Sequence, residues 1–210
     1  MGIEAIVPLK ALSSTKQRLA GVLSEVARQS LVMAMADDVL SQLRSHPGID
    51  KVSIVCGEGW SEAQFADPSL RVWQESVLAV KGLNNALTAA LTKAECDSVL
   101  LIHGDLPFLQ RVDITRVVST ASRVDVVLCS DQTATGTNAL LMPRDTPLVL
   151  SFGERSFDRH REAAMTLGAS WEAVQASGIA TDIDSPEDLL LLSAEAAGLG
   201  ASTVAWCQDI

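Results

Sequence analysis

The chain has 210 residues, of which 48% are hydrophobic and 20% charged, and its 16 basic against 26 acidic side chains give a formal net charge of −10. This length and composition predict one globular domain over residues 1–210, located in the cytoplasm, and residues 196–208, the longest stretch without a charged side chain, are too few to span a membrane. Because a net charge of −10 repels nucleic acid, neither nucleic acid nor a membrane is an expected partner.

Taken in chain order, the predicted elements alternate between strands and helices. Apolar runs predict strands at 3–9, 51–56, 98–103, 124–129, 138–142 and 170–174, and apolar residues spaced at a helical period predict helices at 24–46, 82–95, 112–122, 153–167 and 186–197. Continuous apolar strands indicate a sheet covered on both faces, and their alternation with helices indicates parallel crossovers. The predicted fold is therefore a single-domain α/β structure with a mostly parallel sheet and helices on both faces.

The first predicted strand leads into a segment rich in basic side chains, with Lys10, Lys16 and Arg18 close together. Such a run often marks only a solvated helix face. A run directly after a strand, however, also lies where a nucleotide triphosphate binds in strand-loop-helix arrangements. The chain has neither a Gly-x-x-x-x-Gly-Lys loop nor a Gly-x-Gly-x-x-Gly fingerprint, which disfavours P-loop ATPases and nicotinamide-dependent dehydrogenases.

Acidic side chains follow two other predicted elements. Asp105 comes just after the strand at 98–103, and Asp182 and Asp184 lie in the loop before the last helix. Since ligands of open α/β sheets bind beyond the carboxyl ends of the strands, these loops are expected at one edge of the sheet. Carboxylates from separate loops suit Mg²⁺ when a substrate phosphate and waters complete its coordination. The alternative is that Asp105 only caps the helix that follows.

A second candidate anion site lies around the helix predicted at 153–167. Backbone N–H groups of residues 153–156 and the Ser156 hydroxyl are placed to hold a carboxylate or phosphate at the start of that helix. Further basic side chains follow at Arg155, Arg159, His160 and Arg161. In the alternative interpretation, Ser156 is only a helix cap and the arginines are surface residues. Thr137 and Asn138, at the entrance of a strand, are equally open to a binding role or a turn role.

Taken together and in this order, the segments resemble the phospholactate guanylyltransferase family, which is related to the molybdopterin-type nucleotidyltransferases. Members of the phospholactate guanylyltransferase family supply the activated phospho-acid for coenzyme F-420. The resemblance spans nearly the whole chain. It rests on Val7-Pro8-Leu9-Lys10, Lys16-Gln17-Arg18-Leu19, Gly82-Leu83-Asn84, Gly104-Asp105-Leu106-Pro107, Gly136-Thr137-Asn138-Ala139-Leu140, Phe152-Gly153 with Ser156, and Asp182-Ile183-Asp184-Ser185-Pro186-Glu187-Asp188-Leu189.

The resemblance implies a nucleotidyltransferase fold of the glycosyltransferase-A type, GTP as donor, Mg²⁺ as cofactor and a small phospho-acid as acceptor, with release of pyrophosphate. It implies metal binding by Asp105 and by Asp182 or Asp184. The nucleotide is expected at Leu9, Lys10, Lys16, Arg18, Gly82, Asn84 and Asp105. Of these, Lys10, Lys16, Arg18 and Asp105 are the expected catalytic residues. The phospho-acid is expected at Thr137, Asn138, Gly153 and Ser156, and guanine and ribose contacts around Gly57, Glu75 and residues 82–85.

Several alternatives remain open from the residues alone. His103 stands before Gly104-Asp105, where relatives often have small or apolar residues. The sequence also does not select the acceptor, since 2-phospho-L-lactate, phosphoenolpyruvate and 3-phospho-D-glycerate fit equally. A molybdopterin or sugar nucleotidyltransferase is disfavoured because those enzymes open with a Gly-rich loop, whereas this chain has Pro8-Leu9-Lys10. A non-catalytic nucleotide-binding module is the alternative of another class. The protein is expected as a monomer or homodimer that hands its product to the next enzyme of a pathway.

Overall fold

A seven-stranded sheet organises the fold in the computed structural model, which describes residues 2–61, 64–65, 67–194 and 198–209. The strands are β1 (Ile3–Leu9), β2 (Lys51–Cys56), β3 (Arg71–Gln74), β4 (Ser98–Ile102), β5 (Val126–Ser130), β6 (Thr137–Pro143) and β7 (Trp171–Ala173). The α-helices are α1 (Glu25–Ser45), α2 (Leu83–Leu91), α3 (Arg111–Thr120), α4 (Ser156–Thr166), α5 (Ser177–Ala180), α6 (Pro186–Ala194) and α7 (Ala201–Gln208). Two short 3₁₀ turns, Leu12–Ser14 and Gln17–Leu19, lie between β1 and α1.

The strand order is β3-β2-β1-β4-β6-β5-β7, and the sheet is mostly parallel as predicted. The exception is β6, which runs antiparallel to both of its neighbours, β4 and β5. Its register pairs Ile102 with Ala139, and the backbone N–H of His103 donates to the carbonyl of Asn138 at 3.0 Å. The first residues of β6 therefore lie beside the carboxyl end of β4, at the edge of the sheet where the loop carrying Asp105 begins.

Helices cover both faces of the sheet, as the apolar strands predicted. Side chains of β1 alternate between the faces: Val7 packs into a core with α1, and Ile6 packs into a second core with α2 and α4. This alternation follows from the two-residue period of a strand. None of the helices in the described part of the chain combines the length and the apolar character needed to cross a bilayer.

The structure shortens several predicted helices where backbone geometry forbids a right-handed turn. The helix predicted at 82–95 begins only at Leu83, because Gly82 has φ of +86°. The helix predicted at 153–167 begins at Ser156, since Gly153 (φ +117°) and Arg155 (φ +53°) are both left-handed. The end of the last helix predicted at residue 197 lies outside the described residues. Three short elements, β3, α5 and α7, were not predicted at all.

The short helix α5 sits tightly against the segment before α3, and Gly178 makes this approach possible. A Cβ atom at Gly178 would lie 2.4 Å from the carbonyl oxygen of Phe108 and 2.4 Å from Oδ2 of Asp113. Such distances are far below van der Waals contact, so only glycine fits. The loop that carries Asp182 and Asp184 follows α5 directly, and its position therefore depends on this contact.

Replacing Gly178 with alanine is expected to lower the free energy of unfolding by about 1–3 kcal/mol, because the added methyl group overpacks the contact with α3. Equilibrium urea unfolding measures the change. Gly21→Ala is the matched control, since a Cβ there meets no atom of the described residues within 4 Å. Equal stability of the two variants would contradict the role of Gly178.

Candidate active site

A cavity of about 270 Å³ opens beyond the carboxyl ends of β1 and β4. Six residues predicted from the sequence line it together: Leu9, Lys10, Lys16, Arg18, Asp105 and Asp184. Lys10 and Arg18 are exposed, whereas Leu9 is buried and forms part of the wall. Three separate segments of the chain thus converge on one cavity, as the position of loops after parallel strands predicted.

The ammonium group of Lys16 lies between the carboxylates of Asp105 and Asp184. It donates a hydrogen bond to Oδ2 of Asp105 and another, at 2.6 Å, to Oδ1 of Asp184. The Lys16 side chain is only 5% exposed, against 25% for Asp105 and 45% for Asp184. Its backbone is left-handed, with φ of +46°, a conformation that costs a non-glycine residue about 1–3 kcal/mol and persists where its surroundings hold it.

The charges of this group reinforce one another. Burial alone would lower the pKa of Lys16, but Asp105 and Asp184 raise it to about 12, so Lys16 is an ammonium ion at neutral pH. Burial alone would raise the pKa of Asp105, but the positive charge of Lys16 brings it well below its ordinary value. Asp105 is therefore ionised at any physiological pH.

Asp182 lies in a different environment from Asp184. Burial raises the pKa of Asp182 to about 6, and the negative charges of Asp105 and Asp184 act in the same direction. Its Oδ1 accepts a hydrogen bond from Nδ2 of Asn138 at 3.2 Å, and the same Nδ2 donates to the carbonyl of Ile179 at 2.9 Å. Asn138 thereby ties β6 to the acidic loop.

The start of α6 fixes the backbone of Asp184. The N–H groups of Asp184 and Ser185 donate to Oδ2 of Asp188 at 3.0 and 2.7 Å, and the Ser185 hydroxyl accepts from the N–H of Asp188 at 3.3 Å. This reciprocal capping arrangement satisfies the free amides at the helix start. It leaves the Asp184 carboxylate free to meet Lys16.

The predicted metal ligands are not gathered into one cluster. Within residues 2–61, 64–65, 67–194 and 198–209, no group of three or more His, Cys, Asp or Glu side chains is arranged to hold a metal ion. The ammonium of Lys16 stands between Asp105 and Asp184 instead. The donor set nevertheless fits Mg²⁺, which binds through one or two carboxylates with phosphates and water. In addition, Oδ1 of Asp105 is buried and has no hydrogen-bond partner within the described part of the chain. The alternative role of Asp105 as a helix cap is wrong, since Asp113 accepts from the N–H at Gln110, just before α3.

The residues predicted to hold the phospho-acid form a second group beside the cavity. The N–H of Thr137 donates to Oγ of Ser156 at 2.8 Å, and Oγ1 of Thr137 is 3.0 Å from Nδ1 of His160. Ser156 is therefore not merely a helix cap. One expectation fails: the N–H of Ser156 is not free for an anion, because it donates to the carbonyl of Gly153 at 3.1 Å.

A line of ring contacts connects this group with the cavity. The ring of Phe152 lies 5.5 Å from that of His103, which lines the cavity, and 4.8 Å from that of His160. Nε2 of His103 is buried and has no hydrogen-bond partner among the described residues. Burial keeps the pKa of His103 below its usual value, so the ring is neutral at physiological pH.

The basic cluster expected after Gly153 does not form a common anion site. Arg155 and Arg161 both pair with Asp158, at 3.4 and 3.0 Å, and Arg159 donates to the carbonyl of Glu154. His160 points away from them and is fully buried. Consecutive helix residues differ by about 100° in direction, so the successive side chains of Arg159, His160 and Arg161 cannot share one face.

Of the residues expected around guanine and ribose, Leu83 lines the cavity, whereas Gly57, Glu75, Gly82, Asn84 and Asn85 are not among its lining residues. Both polar atoms of the Asn84 side chain are bonded to the backbone of Phe152, at 3.1 and 2.7 Å. The N–H of Gly82 donates to Glu75 at 3.3 Å, and Gly57 packs closely on the backbone of Ala11. Nucleotide binding by these residues stays a prediction.

Two residues of the site were not predicted from the sequence as functional. In the sequence, His103 is only a departure from a motif, although its position directly before Gly104-Asp105 places it in the cavity wall. The sequence groups His160 with the neighbouring arginines. Its spacing of four residues from Ser156, which places both on one face of a helix, is the signal that would have separated it from them.

Comparison with known proteins gives a consistent match. A family model described as "Guanylyl transferase CofC like" matches residues 3–202. A phosphoenolpyruvate guanylyltransferase of Mycolicibacterium gilvum is 32% identical over 212 residues, which cover 96% of this chain and 92% of the relative. A 3-phospho-D-glycerate guanylyltransferase of Phenylobacterium zucineum is 34% identical, covering 88% and 87%.

Two further matches extend this result. A 2-phospho-L-lactate guanylyltransferase of Methanothermobacter thermautotrophicus is 29% identical, covering 88% of this chain and 81% of the relative. The structure of a putative nucleotide-diphospho-sugar transferase from Desulfovibrio desulfuricans has a TM-score of 0.78 over 100% of this chain and 95% of its own, at 14% identity. The latter shows that the fold is shared.

From the raised pKa of Asp182 we predict how the free energy of unfolding depends on pH. Because the folded pKa of about 6 exceeds the unfolded value near 3.8, the folded protein binds the proton more tightly, and the free energy of unfolding falls as pH rises from about 4 to about 6. Asp182→Asn removes this loss, so the variant should be more stable than the parent at pH 8, by on the order of 1 kcal/mol for a partly exposed group.

Urea unfolding between pH 4 and 8, with EDTA present, measures this difference. Asp209→Asn, at an exposed position, should follow the parent at every pH. A gap between Asp182→Asn and the parent that stays constant from pH 4 to 8 would contradict the electrostatic explanation.

Proposed function

The chain belongs to the family of CofC-like guanylyl transferases, whose model matches residues 3–202, and on that premise we propose that it transfers GMP from GTP to a small phospho-acid. The observation that carries this proposal is the convergence of Lys16, Asp105 and Asp184 in one cavity with two further cations, Lys10 and Arg18. Basic side chains match a triphosphate, and carboxylates match the cation that accompanies it.

The proposed reaction needs no general base. A phosphate oxygen of the acceptor is already anionic at neutral pH and attacks the α-phosphorus of GTP. The new bond joins that oxygen to the α-phosphorus, the bond from the α-phosphorus to the bridging oxygen breaks, and pyrophosphate leaves with the electron pair. Repulsion between two polyanions opposes this step, so catalysis consists of alignment and charge stabilisation.

The basic residues of the cavity are proposed to act on the triphosphate. Lys10 and Arg18 are exposed and lie along the same cavity as Asp105. Their charges would oppose the repulsion between the phosphates and stabilise the charge that builds on departing pyrophosphate. Lys16, held between two carboxylates, offsets one of their two negative charges.

Mg²⁺ is the proposed cofactor, held by Asp105 and by Asp182 or Asp184. Oδ1 of Asp105 is buried and meets no hydrogen-bond partner from the residues that the structure describes, and the pKa of Asp182 is raised. Both observations indicate carboxylates that a cation would stabilise. When bound, Mg²⁺ supplies positive charge to the phosphate oxygens. The protein contributes the two loops that hold the carboxylates at one edge of the sheet.

The acceptor is proposed to bind at Thr137, Asn138, Gly153 and Ser156, next to the cavity. Relatives of similar identity are named for phosphoenolpyruvate, 3-phospho-D-glycerate and 2-phospho-L-lactate, so identity alone does not select among the three acids. We place the reaction in the cytoplasm as an early step towards coenzyme F-420, with the product handed to the next enzyme of that pathway.

One experiment tests donor and acceptor together. The protein is incubated with GTP, MgCl₂ and equal amounts of the three phospho-acids, and the products are identified by mass spectrometry. We expect one GMP-linked acid to dominate, with pyrophosphate released in equal amount. Absence of turnover with every acid would overturn the proposed function and favour a module that only binds nucleotides.

Asp105→Asn should reduce pyrophosphate release by about a hundredfold or more, because it removes a carboxylate that the transferred phosphate depends on through the bound cation. Asp145→Asn, at a side chain that is 85% exposed, is the control and should retain the parent's rate. Circular dichroism verifies that both variants are folded. A folded Asp105→Asn variant that keeps most of its activity would refute the metal assignment.

A further inference from the structure

We infer that His160 is a positioning residue for the phospho-acid: a neutral imidazole in a single tautomer that fixes Thr137 and the loop carrying Gly153. The inference rests on the proposed function, because it concerns the acceptor site named there. It begins from two hydrogen bonds of the His160 ring. The N–H of Ser151 donates to Nε2 at 2.9 Å, and Nδ1 lies 3.0 Å from Oγ1 of Thr137.

The bond from Ser151 determines the tautomer. A backbone N–H can only donate, so Nε2 of His160 must present its lone pair and carry no proton. In a neutral ring the proton is then on Nδ1, and Nδ1–H donates to Oγ1 of Thr137. The ring is fully buried, and burial, with the charge of Arg159 acting in the same direction, lowers its pKa to about 4. The ring therefore stays neutral at working pH.

This tautomer sets the direction of the Thr137 hydroxyl. Its oxygen accepts from His160, and among the described residues no acceptor is found for its own proton. Ser156 is in the same situation, since its oxygen accepts from the N–H of Thr137. The two neighbouring hydroxyls thus have an occupied lone pair each and a proton to donate. A pair of donors suits a carboxylate or phosphate, which only accepts.

The same ring also joins two separate parts of the acceptor site. Thr137 begins β6, whereas Ser151 belongs to the loop that continues through Phe152 and the left-handed Gly153 to Ser156. Phe152 packs edge-on against His160 at 4.8 Å. Without the imidazole, the link between Ser151 and Thr137 is lost. The position of the loop relative to the strand then depends on other contacts, such as the hydrogen bond from the N–H of Thr137 to Oγ of Ser156.

The test compares His160→Asn, which retains a side-chain donor near Nδ1 but loses the acceptor at Nε2, with Thr137→Val and Thr137→Ser. Thr137→Val removes the hydroxyl at nearly constant volume, and Thr137→Ser keeps it. We expect His160→Asn and Thr137→Val to raise KM for the phospho-acid about tenfold or more, with KM for GTP within about twofold of the parent. Thr137→Ser, which keeps the hydroxyl, should give an acceptor KM below that of Thr137→Val. Glu162→Gln, an exposed control on the same helix as His160, should stay close to the parent.

Two further readouts keep the inference decidable. Nitrogen-15 NMR of the histidine-labelled protein identifies the His160 ring by the signals that are missing in His160→Asn. These signals should show a protonated Nδ1 and an unprotonated Nε2. Isothermal titration with phosphoenolpyruvate alone should show weaker binding in His160→Asn than in the parent. Unchanged acceptor KM and binding, a parallel rise of both KM values, or a protonated Nε2 would each overturn the inference. If the parent protein transfers no GMP but binds the phospho-acid more tightly than His160→Asn does, the proposed function is refuted and the inference about His160 stands.

Discussion

The ammonium of Lys16, held between Asp105 and Asp184, is the interaction on which the site depends. In the sequence, Asp105 lies 89 positions from Lys16 and Asp184 lies 168 positions from it. The two ion pairs therefore tie the loop after β1 to the loop after β4 and to the start of α6. Two carboxylates at a partly buried edge would otherwise repel each other. Lys16 also has a left-handed backbone. Lys16, Asp105 and Asp184 all line the cavity, so this cation holds three parts of the cavity wall together.

The antiparallel strand β6 brings the second half of the site to the same edge. A parallel strand beside β4 would begin at the opposite end of the sheet, far from Asp105. Because β6 runs the other way, Thr137 and Asn138 start where β4 finishes. Asn138 then bonds to Asp182, and Thr137 to Ser156 and His160. One reversed strand therefore places the proposed acceptor site next to the cavity.

The sequence predicted the parts of the site that depend on position along a strand. Lys10, Asp105 and Asp184 each follow or precede an element with a strong apolar pattern, and the general geometry of α/β sheets places such loops together. It did not predict contacts that arise only in the folded chain. Three examples are the hydrogen bond from the Ser156 N–H to the Gly153 carbonyl, the burial of His160, and the hydrogen bond from the Asn84 side chain to the Phe152 carbonyl. All three depend on loop conformations that leave no local pattern in the sequence. The short elements β3 and α5 lack the length that makes a periodicity visible.

The exposure of Lys10 and Arg18 has a consequence for how a nucleotide reaches the protein. At a distance, GTP, the proposed donor, meets the repulsive field of a molecule with net charge −10. Physiological salt screens that field beyond about 8 Å, whereas two cations beside the cavity act within this range. The rate of encounter is therefore governed by local rather than total charge, and moderate salt removes an obstacle to association that would be felt most strongly in dilute buffer.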